Sequence, residues 1–577
     1  MRFAKPSRLS VPTPFPSTVP PARHAPNCCT TFYVSPYARW LVWGFCTTFR
    51  VSFRQNVDLG RKGFRLRLVM RIDAARRILA LAFLLACYPT HGRCEAKLSG
   101  ILSSHMVLQR ERPIHIWGWS TPGETVLVEF HGMSRSTIGN SLGSWSVFLP
   151  PEAAGGPYQL TVVSSNKIIL DDVLIGDVWF ASGQSNMEMP LKGFDGAPVK
   201  DSAEAIAHAG QAQIRLLHIP HKAADFPLRD SDTSWTVCSP ETASDFSAVA
   251  YFFGRELAAR EHVPIGLIDA TWGGTVAEAW MSLRAISADA ALMPVFAARA
   301  EMMETQSETT AILARERQED LAARQAGQTP PKHPWRPDPA SWAPAASFNG
   351  MVAPEVGYTI KGVIWYQGES NSRLGFAPMY AKVFPALIAD WRAQWHEGDF
   401  PFLFVQISNF KSSATERWAI IREAQRRSLS VANTAMVVTV DIGDPDNVHP
   451  ADKQTVAARL ALAARALAYG ENVEYSGPQF RQATSEGDSL RVWFDHATNG
   501  LAARGSLLEG FEIAGDDGRF VTASAHVDGK TVVVSNARVS EPKYVRYGWA
   551  NAPVVSLYNA DGLPASPFTS EDTTPAP

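Results

Sequence analysis

The sequence has little net charge and few cysteines available for pairing. Its 577 residues carry 54 Lys and Arg against 56 Asp and Glu, a formal net charge of −2. This near balance of charge argues against a dominant basic surface for binding nucleic acid, so no nucleic-acid partner is expected. Of its six cysteines, only Cys238 follows the segment interpreted below as a signal peptide. A single cysteine excludes a disulfide within the mature chain, and Cys238 is predicted to fill the core.

The sequence also lacks an apolar run long enough to span a bilayer, which needs about 20 residues. The run Ile78–Ala86 is shorter, and it follows Arg71, Arg76 and Arg77. A charged start before a short apolar run is typical of a secretory signal peptide, predicted here over 70–96. The protein is therefore expected to be secreted or periplasmic, without an integral membrane span.

Both ends of this signal segment allow two interpretations. Residues 1–69 are basic and irregular, and we predict an extension without a fold that precedes a true start at Met70; a native disordered leader is the alternative. Ala96 suits cleavage before Lys97. The stretch ending at Cys87 resembles a lipoprotein box, so a lipid anchor at Cys87 is the less favoured alternative.

Hydrophobic periodicity divides the rest of the chain into three regions. Residues 97–172 contain short alternating runs separated by Pro and Gly, which predict an N-terminal β-sandwich. Residues 173–470 alternate continuous apolar runs with helical patterns, which predict an α/β domain with a doubly wound, mostly parallel sheet. Residues 471–577 return to short strands, with a hairpin signal at Asp528-Gly529, and predict a C-terminal β-rich domain.

Within the α/β region the strands and helices can be predicted individually. The predicted strands are Val173–Ala181, Ile265–Ala270, Ile360–Trp365, Phe402–Ile407 and Met436–Val440, and the predicted helices are Ala248–Arg260, Ala377–Trp395, Trp418–Leu429 and Lys453–Ala468. Ser247 is expected to cap the first helix. Residues 285–345 interrupt the alternation and are interpreted as a surface insertion, either a lid or a solvated helical excursion.

A serine stands where a strand of this sheet ends. Gly183-Gln184-Ser185-Asn186-Met187 follows the apolar run 178–181. A serine after a strand is usually only a helix cap, but Gly183 permits a tight turn and polar neighbours surround the hydroxyl. Ser185 is therefore the candidate nucleophile. The pattern differs from the Gly-x-Ser-x-Gly elbow of α/β-hydrolases.

A candidate base and acid lie far downstream, at Asp446-Asn447-Val448-His449. A serine hydroxyl attacks only when a base removes its proton, and a neutral His449 can do this. Asp446 can hold the imidazole in the right tautomer. The alternative is a polar surface loop. The loop lacks the spacing and closing Glu of a calcium-binding EF-hand, so neither a metal nor a cofactor is expected.

Two further blocks follow predicted strands between the nucleophile and the base. They are Thr271-Trp272-Gly273-Gly274-Thr275 and Trp365-Tyr366-Gln367-Gly368-Glu369-Ser370-Asn371. Acyl transfer passes through an oxyanion that needs hydrogen-bond donors about 3 Å away, and glycine N–H groups and side-chain amides are suitable. Ligands of doubly wound folds gather at the carboxyl ends of the strands, where both blocks lie.

These motifs resemble the sialate O-acetylesterase family of the SGNH hydrolase group. Further matching stretches are His105–Arg110, Asn349–Met351, Asp441–Asp444, Gly510–Gly515 and Gly562–Phe568, so the likeness extends from Lys97 to Phe568. The resemblance implies an SGNH-like fold, with Ser185 as nucleophile, His449 as base and Asp446 behind it. It also implies oxyanion donors at the Ser185 N–H, at Gly274 and at an amide of the third block. We choose Gln367, with Asn371 as the alternative, because Gly368-Glu369-Ser370 departs from the usual pattern there.

The same resemblance implies an O-acetylated sugar or glycan as the substrate, most simply acetylated sialic acid. Glu369, Asn371 and Arg373 are candidate substrate-binding residues. Acetylated xylan is the alternative substrate. A glycan-binding protein without activity and a lipase-type esterase are rival hypotheses, and nothing in the sequence indicates an oligomeric state.

Overall fold

The computed structural model describes residues 95–572, except 335, 337, 374 and 414. The predicted extension, most of the predicted signal peptide, Cys87 and the last five residues lie outside the described residues. Among the described residues, no helix combines the length and the hydropathy that a membrane-spanning segment requires.

Short strands occupy the first part of the described chain, as predicted. They are β1 (Lys97–Leu98), β2 (Val107–Gln109), β3 (Ile114–Trp119), β4 (Thr125–Phe130), β5 (Met133–Ile138), β6 (Ser144–Leu149) and β7 (Gly155–Val163). The first, third and sixth form one sheet in the order β1-β3-β6, while β4 pairs with β5 and β7. Alternate residues of β3 are buried, which is typical of a strand with one face on a core.

One long strand, β8 (Lys167–Gly183), joins this region to the larger sheet. Its first half alternates in burial and pairs with β7, while every residue from Val173 to Gly183 is buried. The domain boundary predicted between residues 172 and 173 therefore falls inside a strand. The described residues, from Glu95 to Asp572, all belong to one compact unit.

The larger sheet places β8 between its two groups of strands. The others are β9 (Gln211–His218), β10 (Trp235–Cys238), β11 (Ile265–Thr271), β12 (Gly362–Tyr366), β13 (Phe402–Val405) and β14 (Thr434–Val437). Their order is β10-β9-β11-β8-β12-β13-β14, and all pairs in it are parallel except β10 with β9. Every residue of β11 to β14 is buried, as the continuous apolar runs predicted.

Helices cover both faces of this sheet. The helices of this region are α1 (Ser185–Glu188), α2 (Ser202–Ala207), α3 (Pro240–Ser244), α4 (Ala248–Glu261), α5 (Leu283–Ala288), α6 (Pro294–Glu304), α7 (Gln306–Gln325), α8 (Tyr380–Trp395), α9 (Trp418–Arg427) and α10 (Lys453–Leu467). Residues of α4 and α10 pack in one core cluster and residues of α8 in another, so the two faces are buried separately. Ser247 caps α4 by accepting a hydrogen bond from Ala250 N–H, as predicted.

The insertion predicted at 285–345 contains most of α5 together with all of α6 and α7. Trp342, near its end, donates its indole N–H to the carbonyl of Gly274 at 2.5 Å. The insertion is therefore anchored beside one of the chemistry-bearing blocks.

The C-terminal region is built of short antiparallel strands. They are β15 (Gln479–Glu486), β16 (Ser489–Asp495), β17 (Leu501–Ala503), β18 (Phe511–Ala514), β19 (Val521–Thr522), β20 (Ser524–Asp528), β21 (Thr531–Ser535), β22 (Tyr544–Tyr547), β23 (Leu557–Asn559) and β24 (Phe568–Thr569). Asp528 pairs with Thr531 across a tight turn, which confirms the predicted hairpin. Buried Arg422 of α9 donates to the carbonyls of Ala550 and Asn551, which ties this region to the α/β part.

Candidate active site

Ser185 begins a short helix at the carboxyl end of the central strand. Gly183 has a φ of +135°, and a Cβ there would overlap the carbonyl oxygen of Tyr366 on β12. Only glycine fits such a position without strain. The next residue, Gln184, donates its N–H to that same carbonyl at 3.0 Å. The chain therefore turns sharply against β12, which fixes where Ser185 stands.

His449 reaches this serine from the loop after β14. Its Nε2 lies 2.8 Å from Ser185 Oγ. Burial lowers the pKa of His449 to about 4, the charge of Lys453 acts in the same direction, and Glu188 opposes both. At neutral pH the imidazole is therefore uncharged, and with its proton on Nδ1 it can accept the hydroxyl proton through Nε2.

Asp446 lies away from the imidazole that it was predicted to orient. Its side chain is 78% exposed, and its Oδ1 accepts a hydrogen bond from Lys411 Nζ at 3.0 Å. Across the described residues, no hydrogen bond joins Asp446 to His449. The tight turn that brings Asp444 against Asn447 directs the Asp446 side chain outward. The orienting role of Asp446 stays a prediction.

The two glycines of the second block both line the cavity that contains Ser185. A Cβ on Gly273 would lie 3.3 Å from Ser185 Cβ and 2.6 Å from Glu188 Oε2, so this backbone approaches the nucleophile closely. Gly274 has a φ of +75° and its carbonyl accepts the Trp342 indole N–H. Gly274 thus lines the same cavity as Ser185, its neighbour Gly273 lies against the nucleophile, and the oxyanion role of Gly274 stays a prediction.

The amides of the third block are engaged elsewhere. Gln367 is fully buried, and its Nε2 donates to the Thr275 carbonyl at 3.2 Å and to Asn371 Oδ1 at 2.7 Å. Asn371 in turn donates to Glu278 at 2.8 Å. These bonds fasten the end of β12 to the 271–278 loop. Neither Gln367 nor Asn371 is among the described residues that line the Ser185 cavity, and both N–H groups of Gln367 are used by Thr275 and Asn371.

Two residues that the sequence did not single out, Asn186 and Lys453, join the nucleophile to the base. Asn186 accepts a hydrogen bond from Lys453 Nζ at 2.6 Å and donates to Glu369 Oε1 at 2.7 Å and to the Val448 carbonyl at 3.0 Å. Asn186 was quoted only as part of the serine motif. Lys453 is 267 positions from Asn186 in the sequence, and only the fold brings the two side chains into contact.

Glu369, a candidate substrate-binding residue, is one of the residues that line the cavity. Its Oε2 is buried and has no hydrogen-bond partner among the residues described here. Burial raises the pKa of Glu369, whereas it lowers the pKa of Lys453 to about 7. An unpartnered buried oxygen is costly, and burial correspondingly favours the protonated, uncharged form of this carboxyl.

A further residue that the sequence did not single out, Glu188, ends the short helix that begins at Ser185. Glu188 Oε1 lies 3.0 Å from His221 Nε2, and the His221 ring stacks on Trp272 with centroids 4.7 Å apart. Glu188 lines the cavity together with Ser185 and Gly273. The Glu188 carboxylate on the cavity wall is thus held by His221, whose ring in turn stacks on Trp272.

The cavity around Ser185 has a volume of about 480 Å³. Arg373 lines it, stacked on Trp342 at 4.9 Å, so the third candidate substrate-binding residue also faces the site. Asn371 lines a neighbouring cavity instead. Among the described residues, no group of three or more His, Cys, Asp or Glu is arranged to hold a metal ion.

Comparison with known proteins finds close relatives over most of the chain. Sialate O-acetylesterase of Rattus norvegicus is 30% identical over 528 residues, covering 83% of this chain and 94% of that protein. Sialate O-acetylesterase of Pongo abelii is 34% identical over 423 residues, covering 66% of this chain and 73% of that protein. The chain belongs to the sialate O-acetylesterase family.

A family profile described as carbohydrate esterase, sialic acid-specific acetylesterase, matches residues 341–468 of this sialate O-acetylesterase family member. This span contains His449 and Glu369, while Ser185 lies before it. A solved structure of a carbohydrate acetylesterase from Xanthomonas citri has 36% identity and a TM-score of 0.71, and it covers 83% of this chain and all of that one. The similarity to that structure therefore covers many more residues than the 341–468 span that the family profile matches.

Proposed function

We propose that the protein is a serine esterase that hydrolyses O-acetyl esters on sugars. The observation that carries the proposal is the 2.8 Å contact between Ser185 Oγ and a half-buried, neutral His449, inside a cavity of a sialate O-acetylesterase family member. Acetylated sialic acid is the first candidate substrate. Arg373, on the cavity wall, offers a positive charge to the carboxylate of that sugar.

In the proposed mechanism, Ser185 Oγ attacks the acetyl carbonyl carbon while His449 Nε2 takes the hydroxyl proton. The bond from the carbonyl carbon to the sugar oxygen then breaks, and the imidazolium returns the proton to the leaving sugar alcohol. Water repeats the sequence on the acetyl-enzyme, releases acetate and restores Ser185.

The oxyanion is proposed to accept hydrogen bonds from the N–H groups of Ser185 and Gly274. Gln367 was predicted as a third donor, and it can serve only after releasing Thr275 or Asn371. We therefore expect the two backbone N–H groups to provide most of the stabilisation of the oxyanion. Loss of one oxyanion donor typically reduces turnover by roughly 100- to 1000-fold.

We infer that the fold is of the SGNH type, with β-sandwich-like regions before and after the catalytic part. The central position of β8 supports this, since a doubly wound sheet binds its ligand where the strand order reverses. The motifs after β8, β11 and β12 all lie at that edge. The chain is also proposed to be secreted or periplasmic through the signal peptide at 70–96, with an anchor at Cys87 as the alternative. N-terminal sequencing of exported protein tests this.

The experiment for the function is acetate release from O-acetylated sialic acid and from acetylated xylan, with the Ser185→Ala variant as the control. We expect release from at least one substrate and its loss in the variant. A variant that retains near-normal rates refutes the mechanism. Acetylated xylan is included because the Xanthomonas citri relative is described as a carbohydrate acetylesterase without restriction to sialic acid.

A further inference from the structure

A second cavity lies directly beside the one that contains the nucleophile. It has a volume of about 350 Å³, and its wall includes residues of α6 and of the segment that follows α7 in the insertion. Ser370 and Arg373 line both cavities, so the two share a wall. This volume is within the range of about 300–1,000 Å³ that is typical of ligand pockets.

The wall of this second cavity combines apolar surface with hydrogen-bonding groups. Met302 and Trp342 supply apolar surface, while Arg299 and Asn371 supply charged and polar atoms. Sugar rings present C–H faces that pack on such surfaces, and hydroxyls that bind well to charged groups. Arg299 donates to the Pro339 carbonyl at 2.5 Å, and across the described ranges no carboxylate lies within ion-pair distance of it.

The insertion is held in a fixed position relative to the nucleophile. Trp342 bonds to Gly274 and stacks on Arg373, so the wall between the cavities is built from both the insertion and the catalytic core. This wall is therefore the place where the Ser185 cavity and the second cavity adjoin.

We propose that the second cavity binds the sugar unit linked to the acetylated one. The preferred substrate is then an acetylated oligosaccharide or glycan chain, and the insertion determines this preference. The proposal rests on the proposed function, because it assigns a place to the rest of the same substrate.

The test compares substrates that share one acetylated unit and differ in length. The pairs are O-acetylated sialic acid with O-acetylated sialyllactose, and acetylated xylose with acetylated xylotriose; p-nitrophenyl acetate reports the chemistry alone. For the pair that the wild type hydrolyses, we expect kcat/KM to be at least about tenfold higher for the longer substrate. One hydrogen bond to a charged group contributes enough binding free energy for a difference of this size.

Two variants examine the cavity itself. Thr305→Trp places a large side chain into it from an exposed position, and Arg299→Ala removes its guanidinium. Both should lower kcat/KM for the longer substrate about tenfold and leave p-nitrophenyl acetate hydrolysis within about twofold. Arg317→Ala, on the exposed surface of α7, is the matched control and should change neither.

Equal efficiency on short and long substrates overturns this inference while leaving the esterase function intact. Wild-type kinetics in Thr305→Trp would also overturn it. The same holds if Thr305→Trp loses as much activity on p-nitrophenyl acetate as on the longer substrate. Absence of acetate release from every acetylated sugar by the wild type refutes the proposed function instead.

Discussion

At the scale of single residues, the site is held together by side chains from distant parts of the chain. Asn186 bonds to Lys453, to Glu369 and to the Val448 carbonyl next to the base. The sequence predicted the contact between Ser185 and His449 because each belongs to a motif of recognisable chemistry. Lys453 carries no such signal, since a lysine at the start of a helix is usually solvated.

Replacement of Asp446 by Asn tests the acid of the proposed triad. Its ion pair with Lys411 is exposed, and such pairs contribute only about 0–1 kcal/mol, so the carboxylate can leave it for His449 at little cost. If it does, the Asp446→Asn variant should lose a factor of about 10⁴ in kcat, because the imidazole adopts the wrong tautomer. Lys411→Ala should retain wild-type kcat. A loss below tenfold in Asp446→Asn would establish a Ser185–His449 dyad.

Asn186→Ala tests whether the buried amide positions the base. Loss of its bond to the Val448 carbonyl frees the loop that carries His449, and a displacement of about 1 Å can lower kcat roughly 100-fold. We expect this fall in kcat with KM changed much less, measured by steady-state kinetics on p-nitrophenyl acetate. Asn499→Ala, an exposed asparagine in the C-terminal region, is the control. Unchanged kcat in Asn186→Ala would contradict a positioning role.

At the scale of elements, five strands of the larger sheet were predicted from their apolar runs, whereas β9, β10 and the junctions between regions were not. Buried strands such as β11 and β13 are continuous apolar runs, and their observed bounds differ from the prediction by two residues or fewer. β8 changes character along its length, from alternating to fully buried. Periodicity therefore began the predicted strand only at Val173, and it placed a domain boundary inside β8. The cavity under the insertion was not predictable either, because it depends on packing between segments far apart in sequence.

The turn at the end of β8 gives a prediction of its own. Gly183→Ala adds a Cβ where the Tyr366 carbonyl already lies, so the serine turn must move and activity should be lost. Gly500→Ala is the matched control, since Gly500 also has a positive φ of +104°, but a Cβ added there would meet no atom of the described residues within 4 Å. Gly183→Ala should lower both the rate of p-nitrophenyl acetate hydrolysis and the Tm more than Gly500→Ala does. Similar losses in both variants would attribute the effect to backbone strain alone.

At the scale of the whole molecule, several buried carboxyls influence how stability depends on pH. Burial raises the pKa of Glu355 to about 8 and that of Glu397 to about 7. Both oxygens of Glu355 are buried without a hydrogen-bond partner within the described part of the chain. Such groups stay protonated in the folded protein at pH values where the unfolded chain releases its protons.

The sign of the effect follows from proton linkage. Between the ordinary glutamate pKa of about 4.3 and the raised folded value near 8, the folded state binds more protons than the unfolded state, so the free energy of unfolding falls as pH rises. Glu355→Gln keeps the shape of the neutral side chain and cannot ionise. We therefore expect the wild-type Tm to decline from pH 5 to pH 8.5, and this decline to be smaller in Glu355→Gln, measured by calorimetry. Glu304→Gln, at an exposed position of α6, should follow the wild type. Only a group that stays protonated in the folded protein can make the two Tm profiles differ. Parallel profiles for wild type and Glu355→Gln would therefore contradict the prediction and would mean that Glu355 ionises in the folded protein.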